Sequence, residues 1–120
     1  MGRIGDKEKQ YADRLERLAH SLDISIAQRE YQHYEPDQVW KSSKGTIGFE
    51  VEISASNKKV IGDAFLLSKH FCIGFIILTK RFEARKTVLC HFGFNKVHIV
   101  NADTMENEIK KILKDQGFIN

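Results

Sequence analysis

Three carboxylates sit at spacings that suit one strand face. Asp37 follows Pro36, and Glu50-Val51-Glu52 lies on the far side of a short polar turn, Lys41-Ser42-Ser43-Lys44-Gly45. The stretch Thr46 to Ser54 alternates with period two, so Ile47, Phe49, Val51 and Ile53 share one face and Gly48, Glu50, Glu52 and Ser54 the other. A tight turn at Ser43-Lys44 that pairs Ser42 with Gly45 sets Asp37 directly across from Glu50. A one-residue change of loop length pairs Asp37 with Val51 instead. Like charges directly opposite on paired strands are destabilising, so such a patch asks for a compensating cation, and its oxygen ligands suit Mg²⁺ or Mn²⁺. The same alternation also describes a solvated acidic face on a half-buried strand. Both readings stand on spacing alone.

The elements that must hold these residues can be read in order. Asp6 caps a first helix running to about Leu22, with Tyr11, Leu15, Leu18, Ala19 and Leu22 as its apolar stripe. Glu8 lies close to that stripe by helical angle, whereas Glu16 points well away. Ile24 to Gln28 begins a strand that continues into Tyr31-Gln32-His33-Tyr34 and ends at Glu35-Pro36, and a second strand starts at Asp37. On it Asp37, Val39 and Lys41 share a face opposite Gln38 and Trp40. The acidic strand completes a three-strand antiparallel unit.

Ser56 or Asn57 caps the next helix, with Val60, Ile61, Ala64, Phe65 and Leu67 turned inward. Gly62 weakens that helix by about 1 kcal/mol relative to Ala, and close approach to the sheet is one reason to have it there. Phe71 to Leu78 reads as a strand buried on both faces. A basic segment, Lys80 to Lys86, opens a short helix or loop ending near Gly93. Lys96 to Val100 is a last strand. Asp103 with Glu106 resembles a capping box for a final helix whose buried stripe is Met105, Ile109, Ile112 and Leu113 and which Gly117 ends. Three sequential strands followed by a helical crossover predict an α/β fold, a mixed sheet with helices on both sides.

A chain of 120 residues supports one core, so residues 1–120 read as a single domain. No apolar run nears the roughly 18 residues of a membrane helix, and Met1-Gly2-Arg3-Ile4 lacks the apolar core of a signal peptide, which points to the cytoplasm and away from a membrane. The two cysteines, Cys72 and Cys90, have no CxxC spacing, and Cys72 lies in an apolar run where a buried thiol is the default. Neither zinc nor a disulfide scaffold is indicated. The net charge of +3 is compatible with a polyanionic partner without requiring one.

Pro36-Asp37, Glu50-Val51-Glu52 and the order αβββαβ together resemble the PD-(D/E)xK, or restriction-endonuclease-like, nuclease superfamily. The small size and early helix are most similar to its archaeal Holliday-junction-resolvase-like and RecB-like branches. The resemblance covers residues from about 6 to 79, with the last strand and helix as peripheral additions. It implies a Mg²⁺- or Mn²⁺-dependent endonuclease acting on DNA in repair, recombination or restriction, with a homodimer as the assembly. By position it makes Asp37 and Glu50 the metal-binding acids and the Val51 carbonyl a further ligand. The residue two after that glutamate is usually lysine, and here it is Glu52. Glu52 would then act as general base or bind a second metal. Lysine substitutes to stabilise developing charge are Lys41, Lys58 and Lys59, with Lys59 preferred.

Lys41, Lys44, Lys58, Lys59, Lys80, Arg81, Arg85 and Lys86 fall in turns, helix starts or the late basic segment. They read either as solubility charges or as phosphate contacts that carry no sequence information. Tyr31, Tyr34 and Trp40 read as packing residues, and none of the histidines has a ligand spacing. Two rival functions accompany the nuclease reading. One is a nuclease-fold protein that binds DNA or a partner without cutting, suggested by Glu52. The other is an unrelated interaction module whose acidic strand faces water.

Overall fold

The computed structural model describes residues 6–27 and 34–120. The predicted continuation of the first strand through Tyr31 and His33 lies outside the described residues. The chain runs α1 (Asp6–Ser21), β1 (Ser25–Ile26), β2 (Gln38–Ser42), β3 (Gly45–Ile53), α2 (Asn57–His70), β4 (Ile73–Leu78), α3 (Phe82–His91), β5 (Val97–Asn101), a 3-10 turn (Ala102–Thr104) and α4 (Met105–Asp115). The five strands form one sheet in sequence order, β1-β2-β3 antiparallel and β3-β4-β5 parallel. This is an α/β architecture with a mixed sheet flanked by helices.

The sheet faces follow from the alternation in β3. Ile47, Phe49 and Val51 face α1 and α4, packing with Trp40, Phe75, Leu15, Leu18, Met105, Ile109 and Leu113. The other face is covered by α2 and α3, where Val39, Ile76, Leu78, Val97 and Ile99 meet Val60, Ala64, Leu67 and Leu89. Every residue of β4 is buried, as its unbroken apolar run requires of a central parallel strand. At Gly48 and Gly74 an added Cβ would come within 2.4 Å of the Phe71 ring and 2.8 Å of Leu67, so α2 and its exit press directly on the sheet backbone.

Several local expectations are corrected. Asp6 is already helical, within α1, and so does not stand before the helix as its cap. Phe65 is exposed, and Asp63 takes an inward position on α2 instead. Gly62 has nothing within 4 Å of an added Cβ, so it faces solvent and no close approach explains it. Cys72 is exposed, because the strand proper starts one residue later at Ile73. The capping box at Asp103 does not form. The Asn101 side chain accepts from Asp103 N–H at 2.9 Å, while Glu106 pairs with Arg14 across the helix interface at 2.6 Å. No described helix is long and apolar enough to cross a membrane.

Candidate functional site

The β2–β3 hairpin pairs Ser42 with Gly45 and Gln38 with Phe49. One step further, Asp37 lies across from Glu50, and its N–H donates to Phe49 O at 3.0 Å. The predicted register is therefore the observed one. The Asp37 carboxylate curls onto the end of β3, where Oδ2 accepts the Val51 N–H at 2.7 Å. That side chain substitutes for the strand backbone where β2 has ended.

Glu50 and Glu52 point to the α2 face, and they are not a solvated stripe. Glu50 is 8% exposed. Its Oε2 accepts from the Tyr34 hydroxyl. Burial pushes the Glu50 carboxyl up to about 8; the Asp37 and Glu52 charges push the same way, while the tyrosine hydrogen bond opposes them. The Tyr34 phenol is raised in turn by burial and by Glu50.

The second helix supplies what the strands do not. Ser56 caps it, its hydroxyl accepting the Lys59 N–H at 3.2 Å, and this aims the first turn of α2 at the end of β3. Lys59 and Asp63 are one helical turn apart, and the Lys59 ammonium sits 3.5 Å from Glu52 Oε2 and 3.4 Å from Asp63 Oδ1. Asp63 is 4% exposed, and its Oδ2 is buried with no hydrogen-bond partner. The Glu52–Asp63 pair is held above the ordinary carboxylate range, chiefly by burial, against the opposing pull of Lys59. Lys59 is raised by the Asp63 and Glu52 charges.

The backbone bends sharply beside this cluster. The β3–β4 register shifts between Val51 and Ile53, and Ile53 has φ 56°, where a β-branched residue is strained. Ser54 N–H turns back to Glu52 O, making a tight three-residue turn about Ile53. Thr79 holds Ile53 O by its N–H at 2.7 Å and its hydroxyl at 2.8 Å. The chain thus leaves the sheet immediately after Glu52 and enters α2, which brings Lys59 and Asp63 over the acids.

The basic residues divide between two ends of the sheet. Lys58, in the first turn of α2, and Lys80 and Arg81, after β4, lie at the same strand ends as Glu52, the usual ligand end of an open α/β sheet. Arg85 reaches this end too, but its guanidinium is engaged, donating to Ala55 O at 2.9 Å and Asn57 Oδ1 at 2.7 Å. Lys44 is at the opposite end, in the hairpin turn, about 23 Å along β3 from Glu52. Lys41 is exposed and about 13 Å along β2 from Asp37, which removes it as the catalytic lysine. Among the described residues, Lys59 is the candidate lysine that ion-pairs with the acids.

A cleft of about 420 Å³ between α1 and β2 is lined by Asp37, Gln38 and Val51 together with Glu8, Asp13 and Glu16. Glu16, turned away from the stripe by helical angle, still borders it. A larger cavity of about 500 Å³ lies at the β5 edge between α3 and α4, lined by residues such as Leu89, His98 and Lys111 and by none of the acids above. Size alone does not make it the chemical site, since the buried, mutually repelling carboxylates are elsewhere.

The donors around Asp37, Glu50, Glu52 and Asp63 are all oxygen, which suits Mg²⁺ or Mn²⁺. Among the described residues no three His, Cys, Asp or Glu stand as a group that could hold a metal ion. The fit therefore rests on pairs of carboxylates, and Mg²⁺ commonly takes one or two carboxylates and completes its shell with water and substrate phosphate. Asp63 Oδ2 is buried without a hydrogen-bond partner, and burial holds Glu50 and Glu52 above the ordinary carboxylate range. Sequence reasoning missed Tyr34 and Asp63. The i,i+4 spacing of Lys59 and Asp63 just after an acidic strand was the available signal for Asp63. Comparison with known protein families, curated proteins and solved structures found no match to this chain.

Proposed function

We propose that this protein is a divalent-metal-dependent deoxyribonuclease, an endonuclease on a restriction-endonuclease-like core, acting in repair, recombination or restriction. The observation that carries the proposal is the burial of Glu50 beside Asp37, Glu52 and Asp63 at the end of β3, with cationic side chains on the same rim. Burying several carboxylates side by side costs desolvation and mutual repulsion, and sites that shift pKa this way are characteristic of chemistry.

In this reading Asp37, Glu50 and the Val51 carbonyl would hold the ion. A bound Mg²⁺ or Mn²⁺ supplies charge neutralisation at the phosphate and a water of lowered pKa. Asp37 is oriented for the task by the Val51 N–H, and Glu50 by the Tyr34 hydroxyl. Glu52 accepts the proton of the attacking water, its own proton affinity raised into the range a general base needs at neutral pH. Lys59 stands where its ammonium offsets developing negative charge. Lys58, Lys80 and Arg81 track phosphates flanking the scissile bond, and two copies would be required to cut both strands at once.

A second reading, DNA binding without cleavage, is favoured by the ion pairing of Lys59 with two acids, which leaves its charge spent. Incubation of plasmid, branched and single-stranded DNA with Mg²⁺ or Mn²⁺ separates the two. Metal-dependent cleavage that Asp37→Asn and Glu50→Gln each reduce by about a hundredfold or more supports the nuclease. Salt-sensitive binding with no cleavage under any metal moves the protein to the second reading.

A further inference from the structure

Lys59 occupies an unusual place for a surface lysine. Its ammonium lies 3.5 Å from one Glu52 oxygen and 3.4 Å from one Asp63 oxygen, bridging a strand acid and a helix acid that otherwise repel. The lysine side chain is 58% exposed, while those of Glu52 and Asp63 are 14% and 6% exposed. The cation is therefore free to leave and the two anions are not. Asp63 Oδ2 is buried with no hydrogen-bond partner, and the Lys59 ammonium reaches the other Asp63 oxygen. A small cation that accepts oxygen ligands from both carboxylates answers that deficit better than a tethered amine with a long side chain to immobilise.

We propose that Glu52 and Asp63 form a divalent-cation seat distinct from the Asp37–Glu50 pair, and that Lys59 is its exchangeable occupant. Binding of Mg²⁺ or Mn²⁺ between Glu52 and Asp63 expels the Lys59 ammonium toward solvent at the rim shared with Lys58, Lys80 and Arg81. The released charge then joins the phosphate-tracking group. The metal-free protein keeps its acids compensated by lysine, and the metal-loaded protein gains a cation at the DNA rim. The seat rests on the nuclease reading and revises it: Glu52 and Asp63 become metal-binding residues, in place of the general-base role of Glu52 and the charge-offsetting role of Lys59, yet the seat is measurable without any cleavage.

Mn²⁺ binding, counted by loss of the free-ion paramagnetic signal, tests the seat in wild type, Asp63→Asn, Lys59→Met and the double variant Asp37→Asn/Glu50→Gln. Asp63→Asn should remove one bound Mn²⁺, and the double variant should retain it. Lys59→Met should tighten that Mn²⁺ by roughly tenfold, because a competing like charge is gone. Unchanged stoichiometry in Asp63→Asn, or unchanged or weaker Mn²⁺ affinity in Lys59→Met, overturns the proposal. An amine-labelling measurement on wild type gives an independent readout and decides if Asp63→Asn fails to fold. Mn²⁺ should raise the labelling rate of Lys59 several-fold relative to Lys58, and a rate that stays level or falls overturns expulsion. Cleavage by a protein whose Asp63→Asn variant keeps every Mn²⁺ sinks the seat and leaves the nuclease standing. A Mn²⁺ seat in a protein that cuts no DNA does the reverse.

Discussion

The two faces of the sheet both bury polar groups, and they do so to opposite ends. Under α1 and α4, Gln38 is 5% exposed and fully employed, donating to Ala12 O at 3.2 Å and accepting from the Trp40 indole at 2.7 Å. Nearby, Arg14 grips Glu106 with two nitrogens, at 2.7 Å and 2.6 Å, and joins α1 to α4. Each of these groups has an opposite partner, and Glu106 is held below the ordinary carboxylate range by the Arg14 hydrogen bonds. Under α2 the buried groups are acids facing acids, pushed up by burial and by one another. Polar burial that satisfies itself is architecture. Polar burial that crowds acids together raises their proton affinity and marks a candidate site.

That contrast can be broken first by pH. Glu50 binds its proton up to about 8 in the folded chain, against 4.5 for an ordinary glutamate. Between those values the folded state holds a proton that the unfolded state has lost, so stability is greatest below about pH 4.5 on this account. It declines as pH rises through 8. The loss attributable to Glu50 is on the order of a few kcal/mol. Metal-free thermal melts should show Tm falling from pH 5 to pH 8, with a shallower fall in Glu50→Gln, which should also melt higher than wild type at pH 8. A Tm independent of pH in both proteins would remove the charge excess from the α2 face.

A sharper cut concerns Tyr34. Its hydroxyl is the donor that opposes the rise of Glu50, so Tyr34→Phe should raise the Glu50 pKa further. Cleavage at pH 7 should drop by roughly tenfold, with the acidic limb of the pH–rate profile moved upward. Recovery of rate at higher pH is the signature that separates this role from mere packing. A uniform loss at all pH values would assign Tyr34 to packing.

The smallest effect belongs to the Arg14–Glu106 pair that joins α1 to α4. Arg14→Ala removes a pair whose side chains are 26% and 35% exposed, and solvent screening limits the cost to about 1 kcal/mol. Because the folded pKa of Glu106 is depressed, that contribution is present above its ordinary pKa and fades as pH falls through the folded value. Denaturant unfolding of Arg14→Ala should show this small loss at pH 7, shrinking in acid, with cleavage unchanged.

The order of elements and the hairpin register were legible in the chain because both are local. Period-two alternation assigns each β3 side chain to a face, and a two-residue turn at Ser43-Lys44 leaves one register that pairs Ser42 with Gly45. Asp37 opposite Glu50 follows from nothing longer-ranged than that. Tertiary packing decided the rest. Whether Glu50 faced water or protein depended on α2 docking over the strand end, and the tight turn at Ile53 and the Ser56 cap set that approach. The same docking buried Asp63, exposed Phe65 and left Gly62 in solvent, although helical spacing alone had favoured the apolar phenylalanine for the interior. Lysines alike in sequence were sorted by the direction of the strands, Lys44 to the hairpin end and Lys59 to the acids. Residue spacing determines which side chains share an element's face. Which faces meet, and how much water remains between them, is settled only when distant elements close on each other.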